Sequence, residues 1–470
     1  MGASKAELDL LEPKGYAGAL DWLIDYEKND EGWHIDPYQI CFETGMKDTY
    51  VDPYRFATVW SLRMLLSQRP LEQKLTLFWH DHFAVSGGKV EFGPPIWSYL
   101  ETLRTNANDF PTLLKKVSFE PAMLRFLDGD TSLKDHPNEN FGRELLELFT
   151  LGQGHYTEAD VKEVSRAFTG WGNRYLIYEN GGEQVQERIK SSIETRTPMV
   201  AACFSPELHD DGAKHFLGLE AYNAEEVLSK LAAHPQTAVM MTGKLWDYFA
   251  GCPLSDSLGA KLAQTFTSNN GAIKPVLRAI AGSDEFWSDA CVWHRVKSPV
   301  DFIVPVMRQV GVGTYVNTVM PKPEPMKPMG DVPRSIGGML LGLMVQQGMM
   351  LLFPPDVAGW NWGQAWITPG NMVAKLNLGA TMSGVDQPDK GLVMAIGQLV
   401  LAAKPVDDAA AVDALCVLYD APIPVAKRKI LVEAFTKGGG LASLTTPEGA
   451  SKAISGPMKL IFGAPEFQSC

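Results

Sequence analysis

Apolar residues recur at spacings of three and four along most of this chain, and one stretch stands out for the sharpness of its two faces. From Asn138 to Leu151, at about 100° per residue, Phe141, Leu145, Leu146, Leu148 and Phe149 fill one side, while Glu139, Asn140, Arg143, Glu144 and Glu147 share the other. Gly152 stops this helix, and Thr157 opens the next with Asp160 closing a capping box. The same spacing, or good caps, predicts helices over Glu7–Tyr26, Tyr54–Gln68, Leu71–Val85, Ile96–Asn106, Phe110–Ser118, Glu158–Thr169, Pro235–Phe249, Pro299–Val310 and Ser335–Leu352, with further ones to Phe435. Strand signals are few. Arg174–Tyr178 and Thr197–Phe204 flank Gly181-Gly182 and predict a short hairpin near 172–204. The fold class read from the pattern is mainly α, a large multi-helix globular array with that one hairpin.

The longest apolar run, Met339–Phe353, is interrupted by Gln346-Gln347-Gly348 and is shorter than a bilayer span, so it reads as a buried helix. Met320–Pro333, with five prolines, reads as a linker or surface excursion.

Several stretches carry a resemblance. Glu139–Gly152, Tyr156–Val161 and Ala167-Phe168-Thr169-Gly170-Trp171 resemble the signature of a large bacterial family, domain-of-unknown-function family 1800. Phe78–Phe83, His209–Lys214, Lys244-Leu245-Trp246, Ser298–Phe302, Pro354–Trp360 and Ala464–Gln468 are similar to it as well. Two positions depart from its pattern: Asp81 stands where the family has Asn, and Gly142 where it has Ala. A mid-helix Gly loosens a helix by up to about 1 kcal/mol unless a neighbour packs closely against it. The resemblance runs nearly end to end, which implies one family-wide unit over 1–470. Two packed subdomains, about 1–312 and 335–470 joined by the Pro-rich 313–334, are the finer expectation. The family names no reaction. It implies export signals or exported partners, in particular an alkaline-phosphatase- or sulfatase-like protein.

Composition narrows the classes of function. A formal net charge of −13 over 470 residues, with no basic stripe, argues against a nucleic-acid partner and against an anionic membrane surface. Six cysteines without a C-x-x-C pair argue against a zinc ribbon or thioredoxin-like site, and most read as small buried hydrophobes. No basic-plus-apolar signal precedes the first predicted helix, so the sequence as given reads as cytoplasmic, or as periplasmic or exported if a signal was removed.

Candidate chemistry lies in three places. Glu144 and Glu147 are carboxylates one turn apart, suited to share a proton or hold a divalent metal, with Asn140 and Arg143 placed to orient a substrate. The bland alternative is a solvated Glu139–Arg143–Glu147 ladder. In Leu71–Phe83, His82 shares the inward face with Phe78 while His80 points about 160° away, so the two cannot be one helical metal pair. His209 and Asp210, in a segment read as a loop leading into a short helix, suit a metal ligand and an acid–base partner, with Lys214 facing an anionic group. Trp360, Trp362 and Trp366 in a Gly/Pro-rich loop either plug the helical packing or stack a sugar; Trp360 is expected in the core and Trp362 more exposed. The chain therefore reads as a metal-assisted enzyme acting on a small or saccharide-like molecule. Its catalytic set is Glu144, Glu147, His82, His209 and Asp210; Asn140, Arg143, Lys214 and Trp362 bind substrate; Glu144, Glu147 and His209 hold a divalent metal. The alternative is a non-catalytic helical scaffold for an exported phosphatase- or sulfatase-like partner.

Overall fold

The computed structural model describes residues 1–42, 51–178, 184–320, 326–382 and 392–470, and helix dominates it. Helices Pro53–Leu66, Pro70–His82 and Gly93–Thr105 pack together at its centre, each with proline in the first turn, where the missing N–H breaks no helical bond. Pro53–Leu66 buries residues on every side, Phe56, Trp60 and Leu62 among them, and is enclosed in turn by helix Asp331–Gln346. One hydrophobic core runs from Ile24 to Phe467, drawing on both sides of the Pro-rich segment. That segment is itself helical at Val312–Val319, and residues 321–325 lie outside the described ones. Among the described residues, no helix is long and apolar enough to cross a membrane.

Several details differ from the sequence pattern, each for a local reason. The first predicted helix is three pieces, Lys5–Leu11, Glu12–Lys14 and Gly15–Ile24, broken where Pro13 and Gly15 intervene. Trp171–Tyr175 and Val200–Phe204 pair antiparallel, Trp171 opposite Phe204 and Tyr175 opposite Val200. Helix Val185–Thr195 stands between them, so no tight turn joins the strands; it forms because Ile189 and Ile193, one turn apart, bury against Ile177 and Met199. Gly181-Gly182 lies outside the described residues. A second hairpin, Lys214–Phe216 with Leu219–Ala221, replaces the short helix expected after His209: Lys214 and Phe216 face inward and His215 outward, the alternation of a strand. Helix Pro447–Gly463 escapes the pattern because Gly449, Gly456 and Pro457 interrupt its periodicity, yet it packs on Pro369–Met382 and Val425–Lys437.

Candidate active site

The signature helix meets the rest of the molecule through its end, not through its carboxylates. Its first part, Glu139–Glu144, is α-helical, and Leu145–Thr150 is a π-helical turn, with Leu151 N–H donating to the Leu146 carbonyl at 2.9 Å. The wider turn rotates Glu147 out of the predicted ladder. Arg143 stays 3.6 Å from Glu139 but makes a bidentate pair, 2.7 Å on each arm, with Glu158 across the loop. Glu147 instead accepts from Tyr156 Oη and, at 2.7 Å, from Gln153. Gly142 has its reason here: a Cβ would fall 2.3 Å from Ser165 Oγ on the following helix, so the glycine permits the close crossing.

A helix end leaves carbonyls without partners, and two other helices supply them. His82 Nε2 lies 3.2 Å from the Phe149 oxygen, and Lys244 Nζ lies 3.1 Å from the Leu148 oxygen. A carbonyl only accepts, so Nε2 carries the proton and the bare Nδ1 accepts from Lys244 Nζ at 3.2 Å. Burial, then the Lys244 charge, keeps His82 neutral, well below the usual imidazole value.

Around this junction opens a cleft of about 630 Å³. Helix Pro70–His82 contributes Phe78, Asp81 and His82; helix Pro235–Phe249 contributes Lys244, Asp247 and Tyr248. Both sets have the i, i+3, i+4 spacing of a single face. The tryptophan loop closes one side: Trp360 N–H donates to Asp81 Oδ1 at 2.8 Å and Trp362 Nε1–H to Oδ2 at 2.6 Å. Gly359 (φ +84°) lies so close that a Cβ would sit 2.3 Å from Asp81 Oδ1. Trp360 is in the core, against His80, and Trp362 is half-buried at the cleft, as expected. Burial pushes the Asp81 carboxyl up to about 6 despite its two donors and Lys244 nearby. Burial also pulls the Lys244 ammonium down to about 8 against the Asp81 charge. Asp81 and Lys244 thus stand on neighbouring walls of one cleft, each moved by burial toward its neutral form.

Of the predicted residues, His82 and Trp362 line this cleft and Glu144, Glu147, Asn140, Arg143, His209, Asp210 and Lys214 do not. Among the described residues, no three His, Cys, Asp or Glu side chains are grouped to hold a metal ion, so the ligand set Glu144, Glu147 and His209 is not assembled. His209 is buried with Nδ1–H donating to the Thr169 carbonyl at 2.9 Å. Asp210 is held by both arms of Arg166, at 2.8 and 3.0 Å. Lys214 is fully buried and donates to the Asp210 and Tyr222 carbonyls, which makes it a support for its hairpin. Asn140 reaches the Leu127 carbonyl at 3.4 Å. Glu144 is half-buried, with burial and Glu147 raising its carboxyl. The residues the sequence reading missed, Asp81 and Lys244, lie inside stretches that carried the family resemblance. Their signal was a charged residue on an otherwise inward helical face.

The family profile of DUF1800, described as proteins of unknown function, matches residues 1–469. The chain belongs to this family. No curated protein and no solved structure gave a match. Within this DUF1800 protein, Phe78–Phe83, Lys244–Trp246 and Pro354–Trp360 of the resemblance meet at the cleft, and the last carbonyls of the signature helix bind its His82 and Lys244 side chains.

Proposed function

We propose that the cleft is the active site of an enzyme that moves a proton on a small molecule. Asp81 and Lys244 are the acid–base pair, His82 positions the amine, and Trp362 offers a flat face to substrate. The observation that carries the reading is the Asp81–Lys244 pair, with the carboxyl near 6 and the amine near 8 on the walls of one cleft. Lys244 donates two of its three N–H groups to His82 and Leu148, which leaves one for substrate. The Cys252–Cys291 disulfide, immediately beside Gly251 and three residues before His294 on the cleft wall, supports a place in an oxidising compartment.

The test is turnover of a metabolite mixture, followed by mass spectrometry, with the wild-type chain and Lys244→Met. A compound consumed by wild type alone, with a bell-shaped pH profile whose limbs fall near 6 and 8, is the expected result. Turnover that Lys244→Met retains in full would remove the reading. A scaffold without catalysis leaves the mixture unchanged in both samples.

A further inference from the structure

Two cations line the cleft: Arg295, paired with Asp301 through one arm only, and Lys244, which makes no ion pair among the described residues. Arg295 is 8 % exposed, with its guanidinium 5.0 Å from the Tyr248 ring centre and 5.5 Å from that of Trp362. Its Nη1 is committed to Asp301 Oδ2 at 2.7 Å. Its Nη2 has no hydrogen-bond partner among the described residues. Asp301 cannot turn to satisfy it, because Oδ2 also accepts from Ser298 and Oδ1 is paired with Lys74. A buried guanidinium N–H left unpaired is rare and costly, and calls for an acceptor. Lys244 is the second cation: its contacts are a neutral imidazole and a carbonyl, and it makes no ion pair among the described residues. Both oxygens of Asp81 already accept from Trp360 and Trp362, and Asp247 is exposed at the rim.

We propose that the cleft takes an oxyanion, a carboxylate or a phosphate, on a flat or aromatic small molecule, with the anionic group between Arg295 and Lys244 and the flat part against Trp362. Charge-assisted N–H···O⁻ bonds are about twice as strong as neutral ones, and a guanidinium arm and an ammonium together supply them from two directions. This names the substrate class of the acid–base cleft and rests on that reading for the chemistry that follows binding.

Binding needs no turnover, so calorimetric titration of the full chain with phenylphosphate, benzoate and the uncharged benzyl alcohol separates the two ideas. Saturable one-site binding of phenylphosphate or benzoate, at least tenfold tighter than of benzyl alcohol, is expected, and which anion wins tells phosphate from carboxylate. Arg295→Gln and Lys244→Met each weaken that binding tenfold or more. Arg295→Gln disturbs the Asp301 pair and is read only if its circular dichroism and unfolding midpoint are preserved; Lys244→Met breaks no ion pair and keeps the test decisive. Benzyl alcohol binding as well as the anions, no saturable anion binding, or binding that Lys244→Met leaves intact would overturn the proposal. Anion binding without turnover of any compound counts against the acid–base reading alone.

Discussion

Lys244 Nζ donates to His82 Nδ1 at 3.2 Å, across 162 positions of sequence, and the two side chains together occupy the last carbonyls of the signature helix. A lysine would ordinarily seek a carboxylate. Here its partner is an imidazole whose proton sits on the far nitrogen, so the amine is held in place without being neutralised.

Replacing His82 with Leu removes that partner and leaves the Phe149 oxygen and a Lys244 N–H unpaired in the interior. The expected loss is about 1–3 kcal/mol for the unsatisfied groups, measured by urea denaturation. Lys244→Met likewise leaves His82 Nδ1 and the Leu148 oxygen without a donor, and it removes a pH-dependent contribution as well. A lysine whose folded value is about 8, against an ordinary 10.5, stabilises the fold fully only above about pH 10.5 and loses that contribution as pH falls through 8. The stability difference, wild type minus methionine variant, is therefore expected to rise as pH increases from 8 to 10.5, and a flat difference would contradict the lowered lysine value.

Asp81→Asn keeps one acceptor for the Trp360 amide but presents an NH₂ where the Trp362 indole N–H now finds an oxygen. Trp362 should loosen, seen as a faster decay of fluorescence anisotropy against a Trp362→Phe control. The variant should also lose a pH dependence. A carboxyl raised from 3.8 to about 6 contributes stability fully below about pH 4 and loses it as pH rises through 6. The wild type minus variant stability difference should fall across that window; a flat difference would mean that Asp81 titrates normally.

The Cys252–Cys291 bridge closes a loop with a sequence separation of 39, and both cysteines are nearly buried. Chain-entropy arithmetic gives it about 4 kcal/mol of stabilisation. Cys291→Ser, compared with wild type by denaturation in the presence and absence of dithiothreitol, should lose on that order and become insensitive to the reductant.

Arg143→Ala should cost less than about 1 kcal/mol, despite the bidentate geometry, because the Glu158 side chain is 69 % exposed and that of Arg143 34 %. Trp360→Ala, at a buried site, should cost about 3–5 kcal/mol. Thermal unfolding of the two variants side by side checks the contrast, and equal shifts would mean that the polar face of the signature helix is more structural than its exposure indicates.

The helical nature of the chain, the Thr157 capping box, the inward direction of His82, the close contact awaited at Gly142 and the different burial of Trp360 and Trp362 were all legible in the linear pattern. Each depends on a residue and its neighbours within a turn or a loop, where spacing and local sterics act directly. The π-helical turn was not legible in the spacing, and beside it only the Glu139–Arg143 half of the expected ladder remains. Nor could periodicity bring Asp81, Lys244 and Arg295 together. It gives the direction of a side chain about its own helix axis and nothing of which helix lies opposite. That choice is made by burial summed over the whole core, and it left the glutamates of the signature helix part-exposed and away from the cleft while its carbonyls met an amine and an imidazole.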